Sequence, residues 1–572
     1  MAPFVAYHGV PAEAHQSRVD ELAPQGYRPI SLSVSGDPGD PRYAAVWVQR
    51  PGTGWWAVHG VDAAGYQARF DELVGQGYAP VLVSATGPAS SATFAAVFEQ
   101  GVNGRWFARH NLRWGDDTDP DTINQENNRA FDQGYVPRCL AVYGEPDDRR
   151  FAGVWADNTA PTPWSWWWTP PQEYQRFFAG LVAAGVRPAH VSVGTDGWLV
   201  SLFVDRPIGE WWARHLISGD VYQAEFEARV ANGLMPIMVQ AGGSGDGTRY
   251  ASVFARDDAV LNRSWTVTGR AGGAEDELDA NIRTFMTANA VRAGTVAVAR
   301  GGTTLTARGY TWAEDGYPIT QPGTVMRLAS VSKILTSAAV GRLVAAGQLK
   351  WDTPAFPLLG ITSALLSDQT PDAGTKAITV RQLVVRTSGL QRDYGTDLRG
   401  VAARLGITTT PTRDQLVRYL YGEPLAHAPG TAELYSNSAY SLLTSVIEQA
   451  SGRSYIDVVL NDVLGPLGLT DVWVATTASG GTHPGEVPAY DHPAVSLSQL
   501  QPATDAMAPN AYGGDFVLEV GEGSGGLASS APTIARLIDT YAVWDDGGRR
   551  IATRHGDLDG TSTGAFSRGD GL

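Results

Sequence analysis

The chain has 572 residues, which is too long for one hydrophobic core of ordinary size, so two or more domains are predicted. Its composition, 43% hydrophobic and 18% charged residues, is typical of a globular protein. A net charge of −16 argues against nucleic acid as a partner and against docking on an anionic membrane, because both require a basic face. No apolar stretch reaches about 18 residues, so no membrane insertion is predicted.

The counts of cysteine and lysine limit the kinds of functional site that this chain can contain. Cysteine occurs once, at Cys139, which excludes an internal disulfide and a cysteine-rich zinc site. The segment from Met1 to Phe4 has neither a basic patch nor an apolar run, so no signal peptide is predicted in this chain. Lysine is scarce, and its few positions therefore merit attention as functional candidates: Lys333, Lys350 and Lys376.

The first half of the chain repeats with a period near 50 residues, up to about residue 260. The repeat is anchored by a glycine that is followed by proline three positions later, at Gly26, Gly77, Gly134, Gly185 and Gly233. An aromatic strand and an amphipathic helix precede the anchor, and two short strands follow it. Each repeat is predicted to fold as strand–helix–strand–strand, and neighbouring repeats must stack because one unit cannot bury its own apolar face.

Fourteen of the 18 tryptophans lie within the first 270 residues. We interpret them as a core between stacked repeats; the alternative is an aromatic surface for an extended peptide or sugar chain. The recurring histidines are interpreted as core or capping groups, since no two of them stand at ligand spacing, and no metal site is predicted: His8, His59, His110 and His215. The predicted domains are a repeat domain over residues 1–268, a linker from Gly269 to Gly273, and a second domain over 275–572, opened by a helix near Glu275.

The second domain contains Ser330-Val331-Ser332-Lys333, a Ser-x-x-Lys motif that leads into an apolar helical run. Serine and lysine three positions apart lie on the same side of a helix. The serine would stand in the first turn, where backbone N–H groups favour developing negative charge. Burial of the lysine would favour its acting as a base toward the serine hydroxyl. Taken alone, this short motif is weak support for catalysis.

Two later segments strengthen it. Tyr435 and Asn437 form a Tyr-x-Asn pair in a turn before a predicted helix from Tyr440 to Ala450. The tyrosine could relay the serine proton, and the asparagine could hold a substrate amide. Arg554-His555-Gly556-Asp557 follows a predicted strand, and its glycine would let a substrate backbone approach closely. The N–H groups of Ser330 and Asp557 would then form an oxyanion hole.

With these motifs in order, residues from about 275 to 572 resemble serine β-lactamase-like hydrolases, closest to class C β-lactamases and their esterase and peptidase relatives. Thr387-Ser388-Gly389-Leu390, Pro429-Gly430-Thr431 and Gly525-Gly526-Leu527 fit the same resemblance. For the second domain the resemblance implies an antiparallel sheet with a helical domain. Together with the strand–helix–strand–strand tandem repeats, the predicted fold class is α+β/α-β. The resemblance also implies Ser330 as nucleophile, Lys333 and Tyr435 as base and proton relay, and Asn437 with Arg554, His555 and Gly556 as substrate contacts.

Joined to tryptophan-rich repeats, the whole chain resembles the polyglycine hydrolases, secreted enzymes that cut within glycine runs of a target protein. The resemblance implies an extracellular location and a peptide or small-molecule acyl substrate, without metal or cofactor. An extended repeat domain would suit a substrate that offers only backbone groups. The alternatives are a β-lactamase or esterase, or an inactive binding protein; the oligomeric state is left open.

Two features depart from the family pattern. The third motif is Arg554-His555-Gly556 where lysine or histidine is usual, and we favour Arg554 for the cation position. The chain ends 16 residues after Gly556, so a truncation of about 50 residues is expected, with closing strands and a helix missing and Gly556 on an unpaired edge. Gly560-Thr561-Ser562-Thr563-Gly564 matches a nucleophile-elbow pattern but lacks its strand–helix context, and a turn is predicted there.

Overall fold

The computed structural model describes residues 3–115, 118–158, 162–270, 275–391, 397–541 and 552–567. It divides into two compact units, one ending at Leu261 and the other beginning at Asn262. The boundary therefore precedes the predicted one at residue 268, because Trp265 lies on a strand that pairs within the second unit. Gly269 belongs to that strand as well, and residues 271–273 of the predicted linker lie outside the described residues.

The first unit confirms the predicted repeat scheme of strand, helix, strand and strand, in five copies. In each copy the last strand lies in the middle of a three-stranded antiparallel sheet. The elements are β1 (Phe4–Pro11), α1 (Ala12–Leu22), β2 (Tyr27–Ser35) and β3 (Arg42–Gln49); β4 (Trp55–Val61), α2 (Ala63–Gly75), β5 (Tyr78–Thr86) and β6 (Thr93–Gln100); β7 (Trp106–Arg113), α3 (Ile123–Asp132), β8 (Tyr135–Tyr143) and β9 (Arg150–Asp157); β10 (Trp164–Thr169), α4 (Pro171–Ala183), β11 (Arg187–Val193) and β12 (Leu199–Val204); β13 (Trp211–Ile217), α5 (Gly219–Ala231), β14 (Met235–Gly242) and β15 (Arg249–Ala255).

The glycine–proline anchor has a structural cause. The anchor glycine follows the helix with a positive φ, as at Gly26 (+80°) and Gly77 (+84°), a backbone conformation that L side chains rarely adopt. The anchor proline lies where the register of the following strand shifts, as after Pro29 and Pro80. Because proline has no N–H to donate, it fits a strand only where the hydrogen-bond ladder is interrupted. The motif therefore marks a helix end and a β-bulge in each copy.

The five repeats form a closed ring. The second strands of successive repeats contact each other in order, β2 with β5, β5 with β8, β8 with β11 and β11 with β14, and β14 contacts β2. The contacts use equivalent positions: Val34 N donates to Ser84 Oγ (3.1 Å), and Val142 N donates to Ser192 Oγ (3.2 Å). The expectation of an extended repeat domain is wrong, because closure covers the apolar faces that terminal repeats would otherwise expose.

Aromatic and histidine side chains pack between neighbouring repeats. Trp106 lies against Phe70 of the preceding repeat and Trp211 against Phe178, with ring centroids 6.2 and 6.4 Å apart. His59 likewise contacts the preceding repeat, through a hydrogen bond to Gln16 (2.7 Å). The next aromatic on the strand faces outward, and Trp212 is 39% exposed. The two interpretations of the tryptophans, burial between repeats and exposure on a surface, therefore apply to different positions of the same strand.

The second unit is a helical core flanked by small antiparallel sheets. Its strands are β16 (Arg263–Arg270), β17 (Ala293–Arg300), β18 (Thr303–Glu314), β19 (Met326–Arg327), β20 (Val472–Val474), β21 (Val495–Leu497), β22 (Met507–Pro509), β23 (Leu527–Ser529), β24 (Ala552–Leu558) and β25 (Thr561–Ser567). Its helices are α6 (Glu275–Ala288), α7 (Ser332–Ala345), α8 (Ala355–Leu358), α9 (Val380–Val384), α10 (Leu398–Leu405), α11 (Arg413–Tyr421), α12 (Asn437–Ser451), α13 (Tyr455–Val458), α14 (Glu522–Gly525) and α15 (Ala531–Thr540). The sheet orders are β16–β18–β17, β19–β23–β20, β21–β22 and β24–β25.

Helix α7 lies in the middle of this core. Ten of its 14 residues are buried, and it contacts both α12 and α14. Its apolar side chains belong to one hydrophobic cluster with residues of α9, α11 and α12, including Leu383, Leu416 and Leu443. The start of α7 is therefore a rigid platform for whatever chemistry its first residues carry. Among the described residues, no helix has both the length and the apolar character to cross a bilayer.

Candidate active site

The predicted nucleophile lies in a tight turn at the start of α7. Ser330 occupies a 3-10 turn over Ala329–Val331, immediately before the α-helix rather than in its first turn. Ala329 has a φ of +46°, a left-handed conformation that a residue other than glycine rarely adopts. Such strain persists only where the surrounding contacts fix it, and it is concentrated at functional sites.

Lys333 and Tyr435 contact the hydroxyl of Ser330. The Lys333 ammonium donates to Ser330 Oγ (3.1 Å) and to Asn437 Oδ1 (2.8 Å). Tyr435 Oη hydrogen-bonds Ser330 Oγ directly. Lys333 is 1% exposed, and its Nζ lies 4.9 Å from the centroid of the Tyr435 ring. The structure thus brings together four predicted residues that are as many as 107 positions apart in the chain.

The Tyr-x-Asn segment is fixed by the start of α12. Ser436 caps this helix by accepting from the amide of Ala439 (3.1 Å), so Asn437 is its first residue, three positions before the predicted start at Tyr440. The cap leaves Tyr435 just outside the helix and Asn437 within it. The two side chains can therefore meet Ser330 and Lys333 from one short segment.

The carbonyl of Ser524 is a further partner of Lys333 that the sequence analysis did not name. It belongs to α14, in the glycine-rich run before β23. A Cβ at Gly523 would lie 2.3 Å from Thr444 Oγ1, so only glycine lets this segment lie against α12. Every residue has a carbonyl, so the only available signal was the glycine run itself.

Arg554, the residue favoured for the cation position, lies against the nucleophile turn. It is 4% exposed on β24, and its Nε donates to the carbonyl of Ser330 (3.1 Å). Burial lowers the pKa of Arg554 to about 10, which leaves the guanidinium charged at neutral pH. The guanidinium lies 5.9 Å from the centroid of the Tyr435 ring, so two cations flank that tyrosine.

His555 lies elsewhere. Alternate residues of a strand face opposite sides, so the residue after Arg554 points away from the site. Its exposed ring packs edge-on against Phe566, with the ring centroids 5.4 Å apart. The assignment of His555 as a substrate contact is therefore not supported by the geometry.

Gly556 runs against the nucleophile turn. A Cβ built on it would lie 2.7 Å from both Ser330 N and Leu328 O, so any side chain would displace the strand. Asp557 is the next residue on β24, with an exposed side chain that accepts from Ser562 Oγ (2.9 Å). This placement fits the predicted pair of oxyanion donors, the N–H groups of Ser330 and Asp557.

The strand β24 is paired, contrary to the expected open edge. Gly556 pairs with Thr563 of β25, and the other side of the strand faces the turn of Ser330. The predicted turn at residues 560–564 is therefore wrong beyond Gly560, because Thr561 begins this strand. One strand that follows the third motif is thus present in the chain.

Comparison with known proteins finds a matching family model for each of the two units. The model of the beta-lactamase family matches residues 278–569, and the model of a polyglycine hydrolase-like structural repeat matches residues 2–50, 52–101, 103–158, 167–201 and 208–257. Both units thus agree with the architecture predicted from the motifs.

Relatives match the second unit only in part. The D-alanyl-D-alanine-carboxypeptidase/endopeptidase AmpH of Escherichia coli (strain K12) is 31% identical over 163 residues, 27% of this chain and 40% of that protein. The esterase EstB of Burkholderia gladioli is 36% identical over 163 residues, 28% of this chain and 40% of that protein. The chain thus spans about two fifths of the length of these relatives.

Among solved structures, a D-stereospecific amidohydrolase from Streptomyces sp. is similar with a TM-score of 0.31 and 26% identity, over 43% of this chain and 66% of that one. The family match covers more than half of the chain, and it contains the Ser330, Lys333 and Tyr435 group. The chain belongs to the beta-lactamase family, and the part that matches this family is preceded by five polyglycine hydrolase-like repeats.

Proposed function

We propose that the protein is a serine endopeptidase that cleaves glycine-rich peptide segments through an acyl-enzyme. The observation that carries the proposal is the hydrogen-bonded group of Ser330, Lys333 and Tyr435 in a chain that also holds polyglycine hydrolase-like repeats. The relative AmpH is named as a carboxypeptidase and endopeptidase, which supports amide bonds as the class of bond that this protein cleaves.

In the first step, Ser330 Oγ attacks the carbonyl carbon of a peptide bond. Its proton passes to the oxygen of Tyr435, which is already its hydrogen-bond partner and which acts in this step as a phenolate. The positive charges of Lys333 and Arg554 beside the tyrosine ring stabilise the phenolate until it takes the proton and becomes neutral. Lys333 also fixes the hydroxyl by donating to it.

In the second step, the tetrahedral intermediate collapses. The N–H groups of Ser330 and Asp557 hold the oxyanion, the C–N bond breaks, and the Lys333–Tyr435 pair returns the proton to the leaving amine. Water then attacks the ester carbonyl of the acyl-enzyme, gives its proton to the same pair, and releases the acid with Ser330 regenerated. Every proton transfer in this cycle uses residues already in contact.

A glycine run presents no side chains, so the enzyme must recognise backbone groups and shape. We assign substrate contact to two polar side chains: Arg554, which donates to the carbonyl of Ser330, and Asn437, which accepts from Lys333. We assign recognition of the protein that carries the glycine run to the repeat ring, whose exposed Trp56 and Trp212 lie on equivalent strands.

The test is intact-mass analysis of a fusion protein joined by a long glycine linker after incubation with the enzyme. We expect products that differ by single glycines, and none with Ser330→Ala. A linker with alanine at every third position is the substrate control, and Ser367→Ala, an exposed serine of the same unit, is the variant control. A glycine linker that stays intact while the alanine linker is cut would overturn the proposal.

Ester or lactam hydrolysis is the second candidate function, favoured by the relative named as an esterase. Ser330 can be acylated by an ester, a lactam or an amide, because in each of these substrates its hydroxyl attacks a carbonyl carbon. A p-nitrophenyl ester and a chromogenic cephalosporin distinguish them by the ratio of kcat/KM values. An inactive binding protein would show no acylation of Ser330 with any of these probes.

A further inference from the structure

Thr563 makes contact with both backbone segments of the predicted oxyanion hole. It lies on β25, directly opposite Gly556 in the ladder of the β24–β25 pair. Its hydroxyl donates to the carbonyl of Leu328 (2.8 Å) and to the carbonyl of Gly556 (3.1 Å). One proton shared between two acceptors is a three-centre hydrogen bond. A single side chain thus joins the turn of the nucleophile to the third-motif strand.

The absence of a side chain at Gly556 makes this bridge possible. A Cβ built there would lie 2.6 Å from Thr563 Oγ1, in the space through which the hydroxyl extends toward Leu328. Glycine at this position thus lets a threonine of the neighbouring strand reach the nucleophile turn.

The two carbonyls matter because peptide groups are planar. The carbonyl of Gly556 belongs to the same peptide group as the N–H of Asp557, so a bond to that oxygen fixes the direction of this donor. The carbonyl of Leu328 immediately precedes Ala329, whose φ of +46° directs the chain into Ser330. Arg554 holds the carbonyl of Ser330 from the same strand pair. The strained turn is therefore held from β24 and β25 at two successive points.

We propose that Thr563 is a positioning residue for the oxyanion hole: its hydroxyl sets the directions of the Ser330 and Asp557 amides. This proposal rests on the acyl-transfer chemistry proposed above, but not on the identity of the peptide. Threonine at 563 stands inside the glycine–serine pattern of residues 560–564, which gives that pattern a role other than that of a nucleophile elbow.

The test measures the single-turnover rate constant for acylation of Ser330 by p-nitrophenyl acetate, followed by p-nitrophenol release and by the mass of the adduct. Thr563→Val keeps the shape and removes the hydroxyl, and Thr563→Ser restores it. Thr561→Val is the matched control, because the Thr561 hydroxyl is buried on the same strand without a hydrogen-bond partner among the described residues.

We expect Thr563→Val to slow acylation about 10- to 100-fold, as a small misplacement of catalytic donors does. Thr563→Ser should remain within about threefold of the wild type, and Thr561→Val should be unchanged. A structural role alone would reduce the fraction of active protein and its Tm, but not this first-order rate constant. Should valine prevent folding, Thr563→Cys, which is a weaker donor of similar shape, should give an intermediate rate.

Wild-type acylation rates in Thr563→Val, or equal slowing in Thr563→Val and Thr561→Val, would overturn the proposal. Failure of the function proposed above looks different: the wild type is then acylated by the ester but leaves every glycine linker intact. If Ser330 is acylated by no probe at all, both proposals are wrong.

Discussion

The repeat ring and the candidate site of the second unit each depend on internal contacts, and these contacts join residues at very different separations along the chain. In the ring, equivalent positions of neighbouring repeats bond across 50 residues, as in the pairs Val34–Ser84 and Val142–Ser192. In the hydrolase site, Ser330 bonds Tyr435 across 105 residues and Arg554 across 224. The ring repeats one local solution five times, whereas the site is assembled once from four distant segments.

This difference predicts where a substitution is felt. A repeated contact has counterparts at other junctions of the ring, so its loss should cost stability in modest steps. The site has no second copy, so the loss of one hydroxyl there should abolish a rate while stability hardly changes. Substitutions of matched chemistry in the two units, or in two parts of one unit, test the comparison.

Tyr435→Phe should give the largest effect. It removes the oxygen that accepts the Ser330 proton, so kcat should fall about 10²- to 10⁴-fold, the range for loss of a proton-transfer group. Its Tm should stay within a few degrees of the wild type. The measurement is steady-state hydrolysis of a p-nitrophenyl ester together with thermal unfolding.

Tyr421→Phe is the matched control, because this buried tyrosine at the end of α11 donates to the carbonyl of Thr362 (3.3 Å) in the same unit. It should lower Tm and leave kcat intact. Equal activity losses in the two variants would mean that the site is not distinct from the rest of the core.

Acid should weaken the ring. Burial lowers the pKa of His190 to about 4, well below its ordinary value near 6.5. The unfolded chain gains a proton below pH 6.5 while the folded ring does not, so stability present above pH 6.5 is lost as pH falls toward 4. At 1.36 kcal/mol per unit, the loss from this residue is about 3 kcal/mol.

Urea unfolding followed by tryptophan fluorescence at pH 7.5 and 4.5 measures this loss, since most tryptophans lie in the ring. His190→Gln should flatten the pH dependence of the ring transition. His555→Gln, a change at an exposed position of the other unit, should leave it as it is. An unchanged slope in the His190 variant would show that another group governs acid unfolding.

Ser31→Ala should open the contact that closes the ring. Ser31 Oγ accepts from Val239 N (3.0 Å) and donates to Val239 O (3.0 Å), between the first and fifth repeats. Its removal leaves two buried backbone groups unpaired and should cost about 2 kcal/mol.

Ser84→Ala removes a serine acceptor between the first and second repeats, where one bond is lost, and should cost about 1 kcal/mol. Chemical denaturation of the full chain compares the two values. A closing contact that costs less than the internal one would mean that the ring is held mainly by its apolar faces.

Asp258→Asn should have the smallest effect. The pair of Arg50 and Asp258 (2.7 Å) also joins the first repeat to the end of the fifth, but the arginine side chain is 43% exposed. Solvent and salt screen such pairs, so the change should cost less than about 1 kcal/mol and vanish at 1 M salt. A larger loss that persists in salt would show that ring closure depends on charge.

The sequence by itself determined the parts whose signals are local. The anchor glycines and prolines predicted the helix ends and the five copies, because a positive φ favours glycine and an interrupted hydrogen-bond ladder admits proline. The motifs predicted the serine, lysine, tyrosine and asparagine of the site, because residues at these spacings lie on the same side of a helix or at its start and can act together. The motif order also predicted the fold of the second unit.

Tertiary structure alone decided the rest. Closure of the ring depends on the angle between neighbouring repeats, and periodicity carries no record of that angle. His555 lies outside the site because neighbouring residues of a strand face opposite sides, and Arg554 is the one that faces Ser330. The carbonyl of Ser524 and the hydroxyl of Thr563 entered it because distant segments pack there. A carbonyl or a threonine looks the same everywhere in a sequence, and only packing brings one to a reacting atom.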